Sequence, residues 1–223
     1  RTISAVFAAS VSRYGDRPAY RNMGKTLTYA EVDAASKQFA AYLLCELGLK
    51  KGDRVAIMMP NCLQYPIAIF GTLRAGLTVV NVNPLYTARE LKHQLVDSGA
   101  SAIVVVDNFG HTVQEVLADT PLKQVITTGL GDLVGFPKSA IVNFVVKYVK
   151  KMVPDYDIPG AVRFRDALAA GKRHALPAGL GLFWGTATAL YRRFGPSGVQ
   201  RVLVFAALFC LLEWLRGHVL TGF

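Results

Sequence analysis

The sequence predicts an α/β protein: a doubly wound, mainly parallel sheet with helices on both faces, followed by an apolar helical hairpin. Three observations carry this. Short, nearly continuous β-branched runs recur about every 22–24 residues between positions 54 and 129, enough for compact β-α-β crossovers. Helical periodicity fills the intervals between them. Beyond His174 the charge pattern then changes, with no charged residue until Arg192 and an apolar run from Val202 to Leu212.

The elements follow in order. Ile3, Val6, Phe7, Val11 and Tyr14 recur at helical spacing, which favours an amphipathic opening helix over the end of a signal peptide. Two short extended runs flank Asn22-Met23-Gly24-Lys25 and signal a hairpin over 18–29. From 30 to 47 the residues Val32, Ala35, Phe39, Tyr42, Leu43 and Leu47 share a helical face, and Gly48 stops it. The runs 54–60, 77–82, 101–107 and 123–129 read as buried strands of a sheet covered on both faces. Helices are expected at 62–75, 87–98 and 110–119.

Residues 136–153, FPKSAIVNFVVKYVKKMV, form a distinct segment. On a helical wheel Ile141, Phe144, Val145, Tyr148, Val149 and Met152 share one side, with Asn143, Lys147, Lys150 and Lys151 opposite. No carboxylate occurs between Asp132 and Asp155. Such a helix can lie in an anionic membrane interface, with Lys147, Lys150, Lys151, Phe144 and Tyr148 as contact candidates. It can equally lie on the sheet with a solvated lysine edge.

The domains are expected at 1–175 and 176–223. In the second, Ala178–Tyr191 and Val202–Leu215 are each shorter than the roughly 20 residues that span a bilayer. They are read as a membrane-inserted hairpin with a basic turn, against a soluble αα-hairpin. The chain has 223 residues, 52% apolar content and a net charge of +10. That excludes disorder and favours a negative partner: anionic lipid, nucleotide or nucleic acid. Cys45, Cys62 and Cys210 form no CxxC pair and are expected reduced and mostly buried. A first residue Arg1 rather than Met suggests a fragment.

Few motifs carry chemistry. The GKT at 24–26 lacks the first P-loop glycine, since position 19 is Ala, and it sits in a hairpin. GLGD at 129–132 reads as a turn. Asp107 ends a strand as a phospho-acceptor would, but the first strand ends in Met58-Met59-Pro60-Asn61 without acidic metal ligands. His93, His111, His174 and His218 lack metal-site spacing. The most specific stretch is VVNVNPLYTAREL, 79–91. Pro84 ends the strand near Asn83, and Thr87 with Glu90 makes a capping box. This strand-to-helix loop, with Asn83, Pro84, Tyr86 and Thr87, lies at a carboxyl edge, where open α/β sheets place ligands.

Three stretches carry a resemblance: LGLKKGDRVAIMMPN at 47–61, residues 63–109 through NVNPLYT, and IVNFVVKYVKKMVP at 141–154. Residues from about 3 to about 172 resemble the N-terminal part of bacterial long-chain fatty-acid–CoA ligases of the adenylate-forming superfamily. The resemblance implies the N-terminal subdomain of such an enzyme, which activates a fatty acid to an acyl-adenylate and then passes it to coenzyme A. It implies ATP, Mg and coenzyme A as the full-length cofactors, none bound by this fragment. It further implies work at the cytoplasmic face of the inner membrane and no nucleic-acid partner. The family's phosphate loop, YTGGTTGxxKG, matches nothing in the 223 residues, so no catalytic residue carries over and the chain is expected to be inactive alone. The tail GLFWGTATALYRRFGPSGVQRVLVFAALFCLLEWLRGHVLTGF, 181–223, resembles a transmembrane portion of apolipoprotein N-acyltransferase. The stretch near Ala175–Pro177 therefore reads as a seam, with a recombined or misassembled reading frame favoured over a natural fusion.

Overall fold

The computed structural model describes residues 2–175. The hairpin expected over 176–223, with Cys210 and His218, lies outside the described residues.

The chain opens with α1 (Ile3–Tyr14), whose Thr2 hydroxyl accepts from the Ala5 amide as an N-cap. β1 (Pro18–Asn22) and β2 (Lys25–Thr28) pair antiparallel, Asn22 opposite Lys25, as the turn residues predict. Thr28 and Glu31 then form a capping box and start α2 (Tyr29–Ala41), which runs into a π-helical turn over Tyr42–Glu46. The next strands and helices alternate: β3 (Arg54–Met58), α3 (Gln64–Arg74), β4 (Thr78–Asn81), α4 (Ala88–Ser98), β5 (Ala102–Val106), α5 (Gly110–Val116) and β6 (Gln124–Thr128). After α6 (Lys138–Phe144) come two elements that the periodicity did not show, β7 (Val162–Arg163) and α7 (Phe164–Gly171).

The five strands from β3 to β7 form one sheet in the order β4-β3-β5-β6-β7, all parallel. Alternation along each strand sends successive side chains to opposite faces. Val55, Ile57, Val104 and Ile126 enter one core with Phe39, Leu43, Ile67 and Phe164. Ala56, Met58, Ile103 and Val105 enter the other with Leu91, Leu95 and Val113. The sheet is thus covered on both faces, as its β-branched runs require. β4 is an edge strand, with Thr78 and Asn81 exposed but Val79 and Val80 packed on opposite cores. Its apolar run resembles those of central strands, yet only one neighbour pairs with it. The cysteine expectation also splits: Cys62 is buried, whereas Cys45 lies exposed on the outer side of the π-helical turn.

The interior is close-packed where α7 lies on α2. A Cβ placed on Gly171 would overlap the Gln38 carbonyl oxygen and sit 3.0 Å from the Tyr42 nitrogen. Neither backbone atom can yield as a side-chain tip would. Gly171→Ala is therefore expected to lower stability by about 1–3 kcal/mol, the usual cost of overpacking. A denaturant midpoint unchanged from the parent would show that α7 does not rest on α2 as described.

Candidate functional site

Strand order reverses between β3 and β5, because β4 lies on one side of β3 and the later strands on the other. In open α/β sheets the carboxyl ends at such a reversal form a crevice. Here the edge carries a polar network built from residues far apart in sequence. Asp107 follows β5 directly, Thr127 and Thr128 end β6, and Arg163 ends β7.

Arg163 is the centre of the network. Its guanidinium donates from Nη1 to Asp107 Oδ1 at 2.7 Å and from Nη2 to Asp107 Oδ2 at 3.0 Å. It also donates to Thr127 Oγ1 at 3.1 Å and to Asp132 Oδ2 at 3.1 Å. Two-point pairing of this kind fixes orientation as well as charge. Burial works to lower the Arg163 pKa, but bonds and charge from Asp107, together with Asp132, hold it above its ordinary value. The Tyr156 hydroxyl donates to Asp107 Oδ1 at 2.8 Å. Burial first, then the Asp107 charge, push the Tyr156 phenol up to about 12.

The network continues inward. Asp132 accepts from the Gly129 amide at 2.8 Å, from Thr128 Oγ1 at 3.0 Å and from Asn143 Nδ2 at 2.8 Å. Asn143 Oδ1 in turn accepts from the Gly131 amide at 2.8 Å. The buried Gln64 on α3 donates to Thr128 Oγ1 and to the Gly129 carbonyl. GLGD is a turn, as expected, and its Asp132 side chain also anchors this edge. Above the network lies an open cavity of about 450 Å³, lined among others by Asp107, Asn108, Asn143, Lys147, Tyr156 and Arg163.

The sequence-derived sites fall elsewhere or are reoriented. Asn83 Oδ1 accepts from the Leu85 amide at 3.0 Å across Pro84, and the Tyr86 amide closes the turn with a bond to the Asn83 carbonyl. Thr87 and Glu90 make the expected capping box of α4. Bonds from the Thr87 backbone and side chain hold the Glu90 carboxyl below its ordinary range. This loop follows the edge strand, and none of its four residues lines the cavity. Of the membrane candidates, Lys147 lines the cavity and lies 5.6 Å from the Tyr148 ring centre. Lys150, Lys151, Phe144 and Tyr148 are exposed.

The helical wheel of 136–153 needs correction. The segment is α6 followed by a π-helical turn over Val145–Val149, not one continuous helix. Asn143 does not belong to the lysine edge; it points inward, with Ser139 buried and Val142 and Val146 half-buried. Asn143 has acceptors and donors waiting at the GLGD turn, which a wheel cannot register.

The donor set does not fit a nucleotide triphosphate or its metal. The one guanidinium at the cavity is already committed to two carboxylates. Among the described residues no cluster of His, Cys, Asp and Glu could hold a metal ion. What the arrangement does is fix the carboxyl edge and seat α6 on it.

With this architecture in place, the family can be stated: residues 7–168 match the AMP-binding enzyme family, and the chain belongs to it. It is similar to the long-chain-fatty-acid–CoA ligase of Escherichia coli O6:H1, 58% identical over 168 residues that cover 75% of this chain and 30% of that protein. It is similarly close to the long-chain-fatty-acid–CoA ligase of Haemophilus influenzae, 58% identical over 171 residues, 77% of this chain and 30% of that protein. The chain thus spans about 30% of the length of these curated relatives. A benzoate CoA ligase from Burkholderia xenovorans shares the fold, with a TM-score of 0.57 at 21% identity over 75% of this chain and 28% of the other.

The Tyr156 phenol offers a direct check on the network. Its folded pKa lies above the ordinary 10.0, so its contribution to stability is complete below pH 10 and is lost as pH rises towards about 12. Burial also raises the Tyr20 and Tyr42 phenols, so in a spectrophotometric alkaline titration the parent should show several late phenols, of which Tyr156→Phe removes one. Identical late titration curves for both proteins would disprove the Asp107 contact.

Proposed function

We propose that residues 1–175 are the N-terminal α/β part of a long-chain fatty-acid–CoA ligase, framework for the ATP-dependent activation of a fatty acid to an acyl-adenylate and then an acyl-CoA. The observation that carries this is 58% identity to such ligases along 168 residues. In this reading ATP, Mg and coenzyme A are held by parts of the full-length enzyme other than this chain. The carboxyl edge braced by Arg163 is a supporting surface and not a reacting centre, and the chain alone is inactive. The missing phosphate-loop pattern supports this.

The proposal includes an anionic-lipid partner at the cytoplasmic face of the inner membrane, supported by Lys147, Lys150 and Lys151 beside the exposed Phe144 and Tyr148. A second reading, a membrane-associated α/β module without catalysis, is favoured by the same exposed face. Residues 178–223, outside the family match, form a separate piece in this proposal, related to apolipoprotein N-acyltransferase and joined near Ala175–Pro177.

A chimera tests the ligase reading. Residues 3–172 replace the matching residues of the Escherichia coli O6:H1 relative, and fatty-acid-dependent pyrophosphate release is measured. The chimera is expected to retain activity within about tenfold of that parent, and the 223-residue chain to release none. A folded but inactive chimera would refute the ligase reading in favour of the module. Release by the chain alone would refute its inactivity.

A further inference from the structure

α6 and its π-helical turn present Ile141, Phe144, Tyr148 and Val149 outward. Phe144 is 58% exposed and Tyr148 60%, and Ile141, Val149 and Met152 join them on the surface. Phe136, just before the helix, is 89% exposed. The two rings touch, with centroids 5.2 Å apart. This orientation is fixed from within: Ser139, Val142, Asn143 and Val146 lie at i, i+3, i+4 and i+7, and Asn143 is bonded to Asp132 and to the Gly131 amide. The outward face is therefore as well defined as the inward one. Six exposed large apolar side chains fall within 136–152, and a concentration of this kind marks an interaction site.

Lys138, Lys147, Lys150 and Lys151 lie along the same segment, and no carboxylate occurs from 133 to 154. At about 1.5 Å per residue the helical stretch is about 18 Å long, too short to cross a bilayer core of about 30 Å. No described helix is long and apolar enough to cross a membrane.

A second element adjoins it. A Cβ placed on Gly24, in the β1–β2 turn, would lie 3.5 Å from Lys138 Nζ. Beside Gly24, Met23 is 48% exposed and holds a left-handed φ of 46°. Asn or Gly adopts that conformation more readily than Met. The hairpin thus sets an apolar, unbranched side chain at its tip, next to the start of α6.

We propose that the outward face of α6, together with the Met23 tip, is a docking surface for anionic membrane. The apolar side chains seat at the headgroup–acyl boundary, and the four lysines lie among lipid phosphates. The charge pattern selects this occupant over a second copy of the chain, since a two-fold pairing would set lysines against lysines. The inference deepens the lipid-partner reading above and rests on it.

The test uses the full chain with two kinds of vesicle, phosphatidylcholine alone and phosphatidylcholine mixed with phosphatidylglycerol. The parent should prefer the mixed vesicles and lose binding with added salt. Replacing Lys147, Lys150 and Lys151 together by Gln should weaken partitioning about a hundredfold, at about fivefold per lysine. The double variant Phe144→Ser with Tyr148→Ser should weaken it by at least about tenfold, and Met23→Gly by a smaller but measurable factor. All these side chains are exposed, so denaturant midpoints of the lysine and Phe144/Tyr148 variants should match the parent, and that of Met23→Gly should match or exceed it, since Gly takes the left-handed φ without strain. Residues 178–223 are common to every variant. Hydrogen exchange on mixed vesicles should slow at 136–152 and 22–25. If the lysine variant loses binding while the Phe144/Tyr148 and Met23 variants bind as the parent does, the lipid reading survives and this surface is refuted. A parent without preference for anionic vesicles refutes both. A dimer abolished by Phe144→Ser with Tyr148→Ser, without vesicle binding, refutes the membrane occupant. Pyrophosphate release by the chimera is independent of all these outcomes.

Discussion

The guanidinium of Arg163 joins three segments widely separated in the chain: the end of β5 through Asp107, the end of β6 through Thr127, and the following turn through Asp132. A buried carboxylate is costly unless paired, and the Asp132 side chain is only 6% exposed. Asp132 draws in the Gly129 amide and Asn143, and Asn143 seats α6. The cavity, the GLGD turn and the outward face of α6 thus all depend on one cation that meets two carboxylates. The strands would pair without it. Their carboxyl edge would lose its defined shape.

This edge sits where a doubly wound sheet offers a crevice, and the matched family model covers nearly all of the described residues. The matched stretch is about 30% of the length of the curated relatives. Arg163 saturated by two acids fits a bracing role there better than a role in holding phosphate.

The sequence was readable where one local rule decides the outcome. Val55–Met58 and Ala102–Val106 are strands because β-branched runs buried on both faces have few alternatives. Thr87 with Glu90 marks a helix start through local bonds, whereas the same pairing of Thr28 with Glu31 went unread. The edge position of β4 was hidden, since its composition matches a central strand. β7 escaped notice because Val162–Arg163 is too short for any period. The network was also hidden: Asp107, Asp132, Asn143 and Arg163 span 57 positions and meet only through sheet order. The wheel of 136–153 identified the apolar arc but misplaced Asn143, whose orientation is decided by partners at the GLGD turn. Periodicity identifies amphipathic faces, but tertiary bonds decide which face is buried.

The central claim is that Arg163 holds the carboxyl edge, and hydrogen exchange in Arg163→Met tests it most directly. The amides of Gly129 and Gly131 donate to Asp132 and Asn143, so their protection reports the network itself. Loss of a charge-assisted bond worth about 1.5–3 kcal/mol should speed exchange at both by about 10–100-fold. The amides of β5 should keep their protection, showing that the sheet remains folded. Unchanged exchange at Gly129 and Gly131 in a folded Arg163→Met protein would contradict the account.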